Sequence, residues 1–237
     1  MKAIIGQKVG MTQVYAEDGT MYPVTVIYCD PNVVTQVKTS DTDGYNALQI
    51  GYEDLKEAKA NKCEKGIFKK AGITPKRHLI ELKGDELMHH KVGESLDVTM
   101  FQAGDVVDVI GTSKGKGYTG TIKAYHHVIG PKGHGSGYHR GSGSFANNGR
   151  TNNRVIPGKK MPGRRGNHSV TIQNLLVVEV DKEKNVILVK GAIPGPKKSL
   201  VTVRSAIKTQ RTKKEIKPLL DRRPKVETAN EVSEENA

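Results

Sequence analysis

The alternation of apolar and polar residues along this chain predicts a structure built mainly from short β-strands. Residues 21–28 show it most clearly, since every second side chain is apolar or aromatic. Successive side chains of a strand point to opposite faces, so this spacing is typical of a half-buried strand. The residues expected on its shared face are Tyr22, Val24, Val26 and Tyr28.

Turn residues between the apolar runs predict which strands pair. Asp18-Gly19 is a strong signal for a tight hairpin and joins residues 12–15 to residues 21–28. Residues 32–38 and 45–52 are expected to pair around the turn at 41–44, and residues 170–180 and 185–190 around the turn at 181–184. Further strands are predicted at residues 78–82, 95–101, 105–110, 121–125 and 200–204.

The periodicity changes in residues 53–70, where Ala, Lys, Glu and Leu dominate and Gly72 follows. These residues favour helices, so one or two short helices are expected there. Many short strands separated by turns indicate a small closed barrel or a sandwich, with the helical part inserted beside it. Beyond Lys208 the chain is charged and poor in apolar residues, and its last thirteen residues are expected to be disordered.

Composition narrows the class of protein. The chain has 237 residues, 35% of them hydrophobic, with no Trp and three Phe, and it contains no run of eighteen apolar residues that would span a membrane. Cys29 and Cys63 fit neither a disulfide framework nor a metal pattern, so each is expected to be a small buried thiol in a reducing cytosol. No signal-peptide pattern is present at the N-terminus, and we expect a soluble cytosolic protein.

Charge is distributed very unevenly. Residues 109–178, here called the basic segment, contain eleven lysines and arginines and no Asp or Glu, while all 25 acidic residues lie elsewhere. The rest of the chain is close to neutral, so the segment carries nearly all of the net charge of +13. Solvated protein faces normally mix charges of both signs. A basic arm on a neutral body therefore indicates contact with a polyanion.

The middle of the basic segment does not resemble part of a core. Fourteen of the 26 glycines fall in the segment, and apolar residues are scattered between residues 125 and 167. Such a stretch cannot offset its ordering entropy by burial, so it is either flexible alone or ordered by a partner that neutralises its charge. Glycines permit close approach of the backbone, and mixed Arg and Lys suit the irregular phosphates of a folded RNA.

Three other chemistries compete as interpretations of the same residues. Gly115, Gly117 and Gly120 match a dinucleotide-binding fingerprint, but that site needs a helix after the third glycine and an acid about twenty residues on. A strand is expected at 121–125, and no acid occurs before Glu179. The histidines of the segment lack Cys, Asp or Glu neighbours to complete a metal site, so contact with nucleic acid or simple solvation remain open for them. Its glycines also argue against an amphipathic membrane helix.

Several motifs resemble one known family. They are residues 5–13 (IGQKVGMTQ), 31–38 (PNVVTQVK), 43–47 (DGYNA), 111–117 (GTSKGKG), 158–164 (GKKMPGR) and 189–196 (VKGAIPGP). On these motifs the chain resembles the bacterial ribosomal protein L3 family from Met1 to about Ala206.

The resemblance implies a mainly β fold with a small α/β insertion: a closed barrel of the translation-factor type with a long irregular basic extension. The expected division is residues 1–52, 95–125 and 167–207 for the barrel, 53–94 for the insertion, 126–166 for the extension, here called the arm, and 208–237 for a charged disordered tail.

The resemblance also implies a non-enzymatic constituent of the large ribosomal subunit in the cytoplasm. Its partners would be 23S rRNA, bound directly early in assembly, and neighbouring large-subunit proteins, with no cofactor, metal, membrane or small-molecule substrate. The tip of the arm, at Asn147, Asn148, Gly149 and Arg150, would approach the peptidyl-transferase centre without performing catalysis. Many relatives carry a methylated glutamine at the tip, but this chain has no glutamine there, so that modification is not expected.

The candidate rRNA-binding residues are the basic side chains of the segment and some of its histidines. They are Lys114, Lys116, Lys123, Lys132, His134, His139, Arg140, Arg150, Arg154, Lys159, Lys160, Arg164, Arg165 and His168. The acid-free composition continues into the strands that flank the arm. We therefore also expect the barrel surface from which the arm emerges to lie against RNA.

Overall fold

A computed structural model describes residues 2–145, 154–208 and 216–220, with the side chains of residues 85 and 86 left out of the description. The strands are β1 (Ala3–Tyr15), β2 (Met21–Tyr28), β3 (Asn32–Lys38), β4 (Ala47–Asp54), β5 (Lys76–Lys83), β6 (Ser95–Leu96), β7 (Val106–Thr112), β8 (Tyr118–Thr119), β9 (Gly163–Arg164), β10 (Ser169–Asp181), β11 (Val186–Lys190) and β12 (Leu200–Ser205). The helices are α1 (Ser40–Asp43), α2 (Lys62–Ala71) and α3 (Thr121–Tyr125), with 3-10 turns at Glu57–Lys59, Asp85–His89 and Val98–Met100. None of the described helices is long and apolar enough to cross a membrane.

Six strands close into a barrel in the order β1-β12-β7-β10-β11-β2, which confirms the mainly β fold class. The two predicted barrel hairpins are confirmed: Thr12 pairs with Val24, and Asp181 pairs with Val186 after a turn in which Asn185 has φ 53°. The interior is apolar and includes Ile4, Ile27, Val109, Val177, Ile187, Val189, Val201 and Val203.

Four strands form a separate sheet in the order β5-β4-β3-β6, beside which α2 lies. The predicted pairing of β3 with β4 is confirmed. The short helices predicted before Gly72 are also confirmed, and Gly72 ends α2 in a left-handed conformation at φ 69°. Both β3 and β4 belong to this sheet, however, so the part of the chain outside the barrel begins at Asn32 and not at residue 53. Alternation predicts a strand but not the sheet it joins; here Val34, Leu48 and Ile50 pack against Leu82 and Leu87.

Two predicted strands are wrong. In residues 95–101 only Ser95–Leu96 is a strand, and a 3-10 turn follows that brings Val98 and Phe101 into the barrel core. Residues 121–125 form α3 instead of a strand: the amide of Ala124 donates to Gly120 O at 3.0 Å, and that of His126 to Ile122 O at 2.9 Å. Five residues are too few for strand and helix periods to be distinguished by pattern. The barrel strand β7 thus ends at Thr112, not near residue 125.

The expected single buried face of β2 is also wrong. Tyr22 and Val24 are buried at the hairpin end, but farther along the strand Thr25 and Ile27 are the buried residues, and Val26 and Tyr28 are only partly covered. The first pair lies in an apolar cluster separate from the barrel interior, whereas Ile27 points inside the barrel. Because both faces of β2 are covered at different points, a strict period of two cannot describe its burial.

Part of the predicted disordered tail is bound to the barrel. Residues 216–220 lie against the β1–β2 hairpin, where Ala16 and Leu219 form an antiparallel bridge. Ile216 and Leu219 pack on apolar residues of β1, β2, β10 and β11. The remainder of the tail, residues 209–215 and 221–237, lies outside the described residues.

The cysteines differ, so the expectation of two buried thiols is confirmed for Cys29 and wrong for Cys63. Cys29 is buried against Gly6. Because Gly6 has no side chain there is room for the sulfur; a Cβ at Gly6 would lie 2.4 Å from Cys29 Sγ. Burial, with a smaller contribution from Asp30, raises the pKa of the Cys29 thiol to about 12. Cys63 lies exposed in the first turn of α2.

We therefore predict that one thiol per folded chain reacts with a disulfide reagent at pH 8, because only the thiolate is reactive and Cys29 is both protonated and covered. The measurement is the time course of release of the reagent's chromophore. Unfolding the chain in guanidinium should expose a second thiol, and Cys63→Ser should abolish the reaction of the folded chain. Rapid reaction of folded Cys63→Ser would contradict this picture of Cys29.

Candidate nucleic-acid interface

The chain leaves the barrel at the end of β7 and returns to it at the start of β10, and these two strands are neighbours. Thr112 pairs with Ser169, the last register position shared by the two strands. The connection between them, residues 113–168, therefore begins and ends at the same point on the barrel rim. The pairing of β7 with β10 already holds the two ends of the connection together. The loop-closure entropy of the connection is therefore part of the cost of folding the barrel.

Beyond the rim, the outgoing and returning segments hydrogen-bond to each other. The amide of Ser113 donates to His168 O at 3.0 Å and that of Asn167 to Ser113 O at 3.2 Å. Farther out, Lys116 N donates to Arg165 O at 2.8 Å and Arg165 N to Gly117 O at 3.0 Å, and β8 then pairs with β9. We call residues 113–119 with 163–168 the stalk. It gives the base of the connection a fixed backbone.

Gly166 permits the close approach of the two stalk segments. Its φ is +76°, in the left-handed region, and a Cβ at this position would lie 2.1 Å from Lys114 O. Both the conformation and the contact exclude a side chain. The neighbouring Asn167 also has a positive φ, 56°, which asparagine tolerates better than most residues.

Helix α3 and the returning segment cover the outer end of the stalk. The guanidinium of Arg165 donates to Lys123 O at 2.5 Å, which ties the helix to the stalk. The ammonium of Lys160 lies over the ring of Tyr125, 5.5 Å from its centroid. A small open cavity of about 140 Å³ lies here, lined by Thr119, Ala124, Tyr125, Met161, Gly163, Arg164 and Arg165.

The arm has local structure of its own between residues 130 and 143. The amide of Gly130 donates to His139 O at 2.9 Å, and the His139 ring Nδ1 donates to Pro131 O, also at 2.9 Å. The hydroxyl of Tyr138 accepts a hydrogen bond from the amide of Gly143. His139 is thus used to close a loop, so a role in RNA contact would fall to its remaining ring nitrogen.

The structure exposes nearly all the candidate residues. Those exposed to solvent are Lys114, Lys116, Lys123, Lys132, His134, His139, Arg140, Arg154, Lys159, Lys160, Arg164 and His168, and Arg165 is half-buried. They are spread from the stalk along the arm, and no single cluster gathers them. Arg150 and the tip residues Asn147, Asn148 and Gly149 lie outside the described residues.

The basic side chains of this connection are not neutralised by acids in the described part of the chain. Across residues 109–145 and 154–178, no lysine or arginine forms an ion pair with another described residue, whereas Lys38, Lys76 and Arg204 elsewhere all pair with acids. Exposed apolar and aromatic side chains lie among the charges; Tyr118 is 73% exposed and Val128 92%. Unpaired cations interleaved with exposed rings are suited to phosphates and to the faces of bases.

Three lysines near the stalk were missed by the sequence reasoning: Lys8, Lys197 and Lys198. Lys8 is only 8% exposed, and its ammonium donates to Ile193 O at 2.8 Å and Gly195 O at 3.1 Å. The loop that supplies these carbonyls packs on the end of β7, and carries the exposed Lys197 and Lys198. A signal was available, because residues 184–214 form a second stretch without any Asp or Glu.

Lys8 and Lys114 repel each other at the base of the stalk. Burial lowers the pKa of Lys8 from its ordinary value, and the charge of Lys114 lowers it further. Among the described residues, the hydrogen-bond partners of the Lys8 ammonium are two carbonyl oxygens and no carboxylate. This arrangement of two nearby cations costs free energy in the isolated protein and favours an anion at the barrel rim.

The structure argues against the dinucleotide-binding alternative. The helix α3 does begin after Gly120, contrary to the sequence expectation, but it has five residues and follows β8, which pairs antiparallel with β9. A dinucleotide site is built on a parallel βαβ unit, and every strand pairing in the described part of the chain is antiparallel. Among the described residues no group of three or more His, Cys, Asp or Glu could hold a metal ion.

Comparisons with known proteins place this combination of barrel and acid-free connection among the ribosomal proteins. The sequence profile of the family described as Ribosomal protein L3 matches residues 86–186. The chain is 51% identical to the large ribosomal subunit protein uL3 of Natranaerobius thermophilus over 209 residues, covering 88% of this chain and 99% of that protein. It is 54% identical to uL3 of Halalkalibacterium halodurans (88% and 99%) and 53% identical to uL3 of Levilactobacillus brevis (90% and 97%). The chain therefore belongs to the ribosomal protein L3 family, as its motifs predicted.

We predict that Gly166→Ala opens the stalk. The methyl group requires a strained φ and collides with Lys114 O, which costs about 1–3 kcal/mol locally. Hydrogen exchange of the Lys116 and Arg165 amides should accelerate by about tenfold or more. Gly137→Ala is the matched control, because a Cβ there meets nothing within 4 Å. Equal protection of the two amides in both variants would rule out the stalk as described.

We predict that Lys114→Gln raises the pKa of Lys8 and slightly stabilises the free protein. Lys8 has a folded pKa below its unfolded value, so its charge costs stability at neutral pH, and this cost disappears as pH rises toward about 10.4. Relief of one repulsion of this kind should raise the Tm by about 1 °C at pH 7. The measurements are NMR titration of the Lys8 side chain and thermal unfolding at pH 7 and 10.5. An unchanged Lys8 titration would contradict the coupling.

Proposed function

We propose that the protein is a structural constituent of the large ribosomal subunit and binds 23S rRNA directly through the arm, the stalk and the adjoining barrel rim. One observation carries the proposal: a long acid-free connection projects exposed cations, none of which has an acidic partner among the described residues. Family membership supplies the ribosomal context, since the relatives are named large ribosomal subunit proteins. The protein would help nucleate subunit assembly in the cytoplasm beside neighbouring ribosomal proteins.

The stalk and the arm would bind RNA in different ways. The stalk is already hydrogen-bonded, so Lys114, Lys116 and Arg164 are presented to phosphates without the full ordering cost of a flexible chain. The arm beyond it follows an irregular RNA surface, where lysines act as point charges and arginines fork onto phosphate oxygens. Exposed rings such as Tyr118 and Tyr125 offer faces on which unpaired bases stack.

The barrel rim would form the second part of the same surface. Lys8 and Lys114 repel each other, and Lys197 and Lys198 lie exposed on the loop whose carbonyls hold Lys8. A phosphate between these side chains would relieve the repulsion and recover the free energy that the isolated protein loses there. This supports the expectation that RNA lies against the barrel where the arm emerges.

The role assigned to the protein is positional and not catalytic. The described site presents exposed cations and rings, which suit contact with phosphates and bases. The tip at Asn147, Asn148, Gly149 and Arg150 would approach the peptidyl-transferase centre, where the chemistry would belong to RNA. That placement rests on the family resemblance.

We predict that Lys116→Gln, Lys159→Gln and Lys160→Gln together weaken binding to 23S rRNA and flatten its salt dependence. Removing one phosphate contact should reduce the slope of log K against log salt by about 0.7–0.9, so the slope of the triple variant should fall by roughly 2–3. Filter binding at several potassium concentrations measures both quantities, with 16S rRNA as the competitor that tests selectivity.

The matched control changes the same number of charges elsewhere. Lys62, Lys65 and Lys69 are exposed on α2, in the part of the chain outside the barrel and arm. Their triple replacement by Gln should leave the slope close to that of the unchanged protein. If the α2 variant loses as much affinity as the arm variant, binding follows net charge alone and the proposed surface is wrong.

A further inference from the structure

A second feature of the molecule lies at the turn of the β1–β2 hairpin. There residues 216–220 run antiparallel to the end of β1: Leu220 N donates to Tyr15 O at 2.9 Å, and Glu17 N donates to Pro218 O at 3.0 Å. In the described part of the chain, β12 pairs with β1 only over Ala3–Gln7. The same edge of β1 from there to Tyr15 is therefore not covered by a barrel strand. An uncovered edge offers backbone groups for another strand to pair with.

Apolar contacts accompany the backbone pairing. Ile216 and Leu219 pack against a cluster of Ala16, Tyr22, Val24 and Val178, with Val14 and Leu188 beside it. Val178 adjoins Val177, which points into the barrel, so alternation places this cluster on the barrel's outer face. The two anchors are spaced three residues apart and enter one shallow apolar groove formed by β1, β2, β10 and β11.

An ion pair fixes the position of the segment between the two anchors. The ammonium of Lys217 binds the carboxylate of Asp18, in the hairpin turn, and lies 3.4 Å from the hydroxyl of Thr20. Hydrogen bonds from Lys217 and Thr20 lower the pKa of Asp18 to about 2. Backbone, apolar and charged contacts thus all select the same register.

We propose that this outer groove is a peptide-binding site occupied in cis by residues 216–220, which act as a clip that anchors the C-terminal tail to the barrel. The site takes a short extended peptide with two apolar anchors three residues apart and a cation after the first. The family resemblance ends near Ala206, so the occupant lies in a part of the chain that the resemblance does not include. The clip covers apolar surface that would otherwise be open to strands of other proteins.

The clip can be tested in the full-length chain with Leu219→Asp, which places a charge in the apolar groove. The amide of Glu17 should lose its protection from hydrogen exchange by about tenfold or more, because its acceptor is Pro218 O. The amide of Ala16 should stay protected, since it donates to Thr20 O inside the hairpin. Leu220→Asp is the matched control: the side chain of Leu220 is 42% exposed, so the same charge should leave Glu17 protected.

Peptide binding tests the groove itself. A fluorescein-labelled peptide of residues 214–222 should bind the Leu219→Asp chain, whose groove is vacated. It should bind the unchanged chain at least about tenfold more weakly, because the tethered segment competes at an effective concentration on the order of mM. Absence of binding to the variant, equal binding to both chains, or a Glu17 amide that is unprotected in the unchanged chain would each overturn the proposal.

Discussion

The backbone pairing at the foot of the connection is the constraint on which the functional surface depends. Because β7 and β10 are neighbours in the barrel, a long insertion between them leaves and returns at one point, and the stalk extends their pairing beyond the rim. Main-chain hydrogen bonds hold the stalk together, because its four cations, Lys114, Lys116, Arg164 and Arg165, have no acid within the stalk with which to pair. Gly166, which lets the two segments come within bonding distance, is therefore as important to the surface as any lysine.

Electrostatics distinguishes the connection between β7 and β10 from the rest of the fold. In the barrel and the four-stranded sheet, ion pairs such as Arg204 with Asp108 and Lys76 with Asp54 join neighbouring strands. The connection formed by residues 113–168 contains no acid that could make such a pair, and its few described apolar side chains are mostly exposed. What remains is local hydrogen bonding, as in the loop closed by His139 and Pro131. Neutralising the cations of such a connection requires charge from outside it.

The features predictable from sequence were those encoded locally. Hairpins with a strong turn signal, such as Asp18-Gly19, and the helix ending at Gly72 could be predicted because turn and capping preferences act within a few residues. The acid-free segment was likewise visible, since charge counts need no coordinates. The sheet joined by β3 and β4 was not, because it is decided by contacts between residues such as Ile50 and Leu82 that lie far apart in sequence.

The candidate site shows the same division between local and distant information. Composition identified the exposed cations of the arm. It did not identify Lys8, because a single lysine in a predicted strand does not indicate a binding site. The importance of Lys8 depends on the tertiary fold. The loop after β11 places Ile193 O and Gly195 O at the Lys8 ammonium, and the segment after β7 places the charge of Lys114 near it. Three separate stretches of sequence meet at that point. A protein selected for stability alone would gain by placing an acid there, and in the proposed function the RNA would supply that negative charge instead.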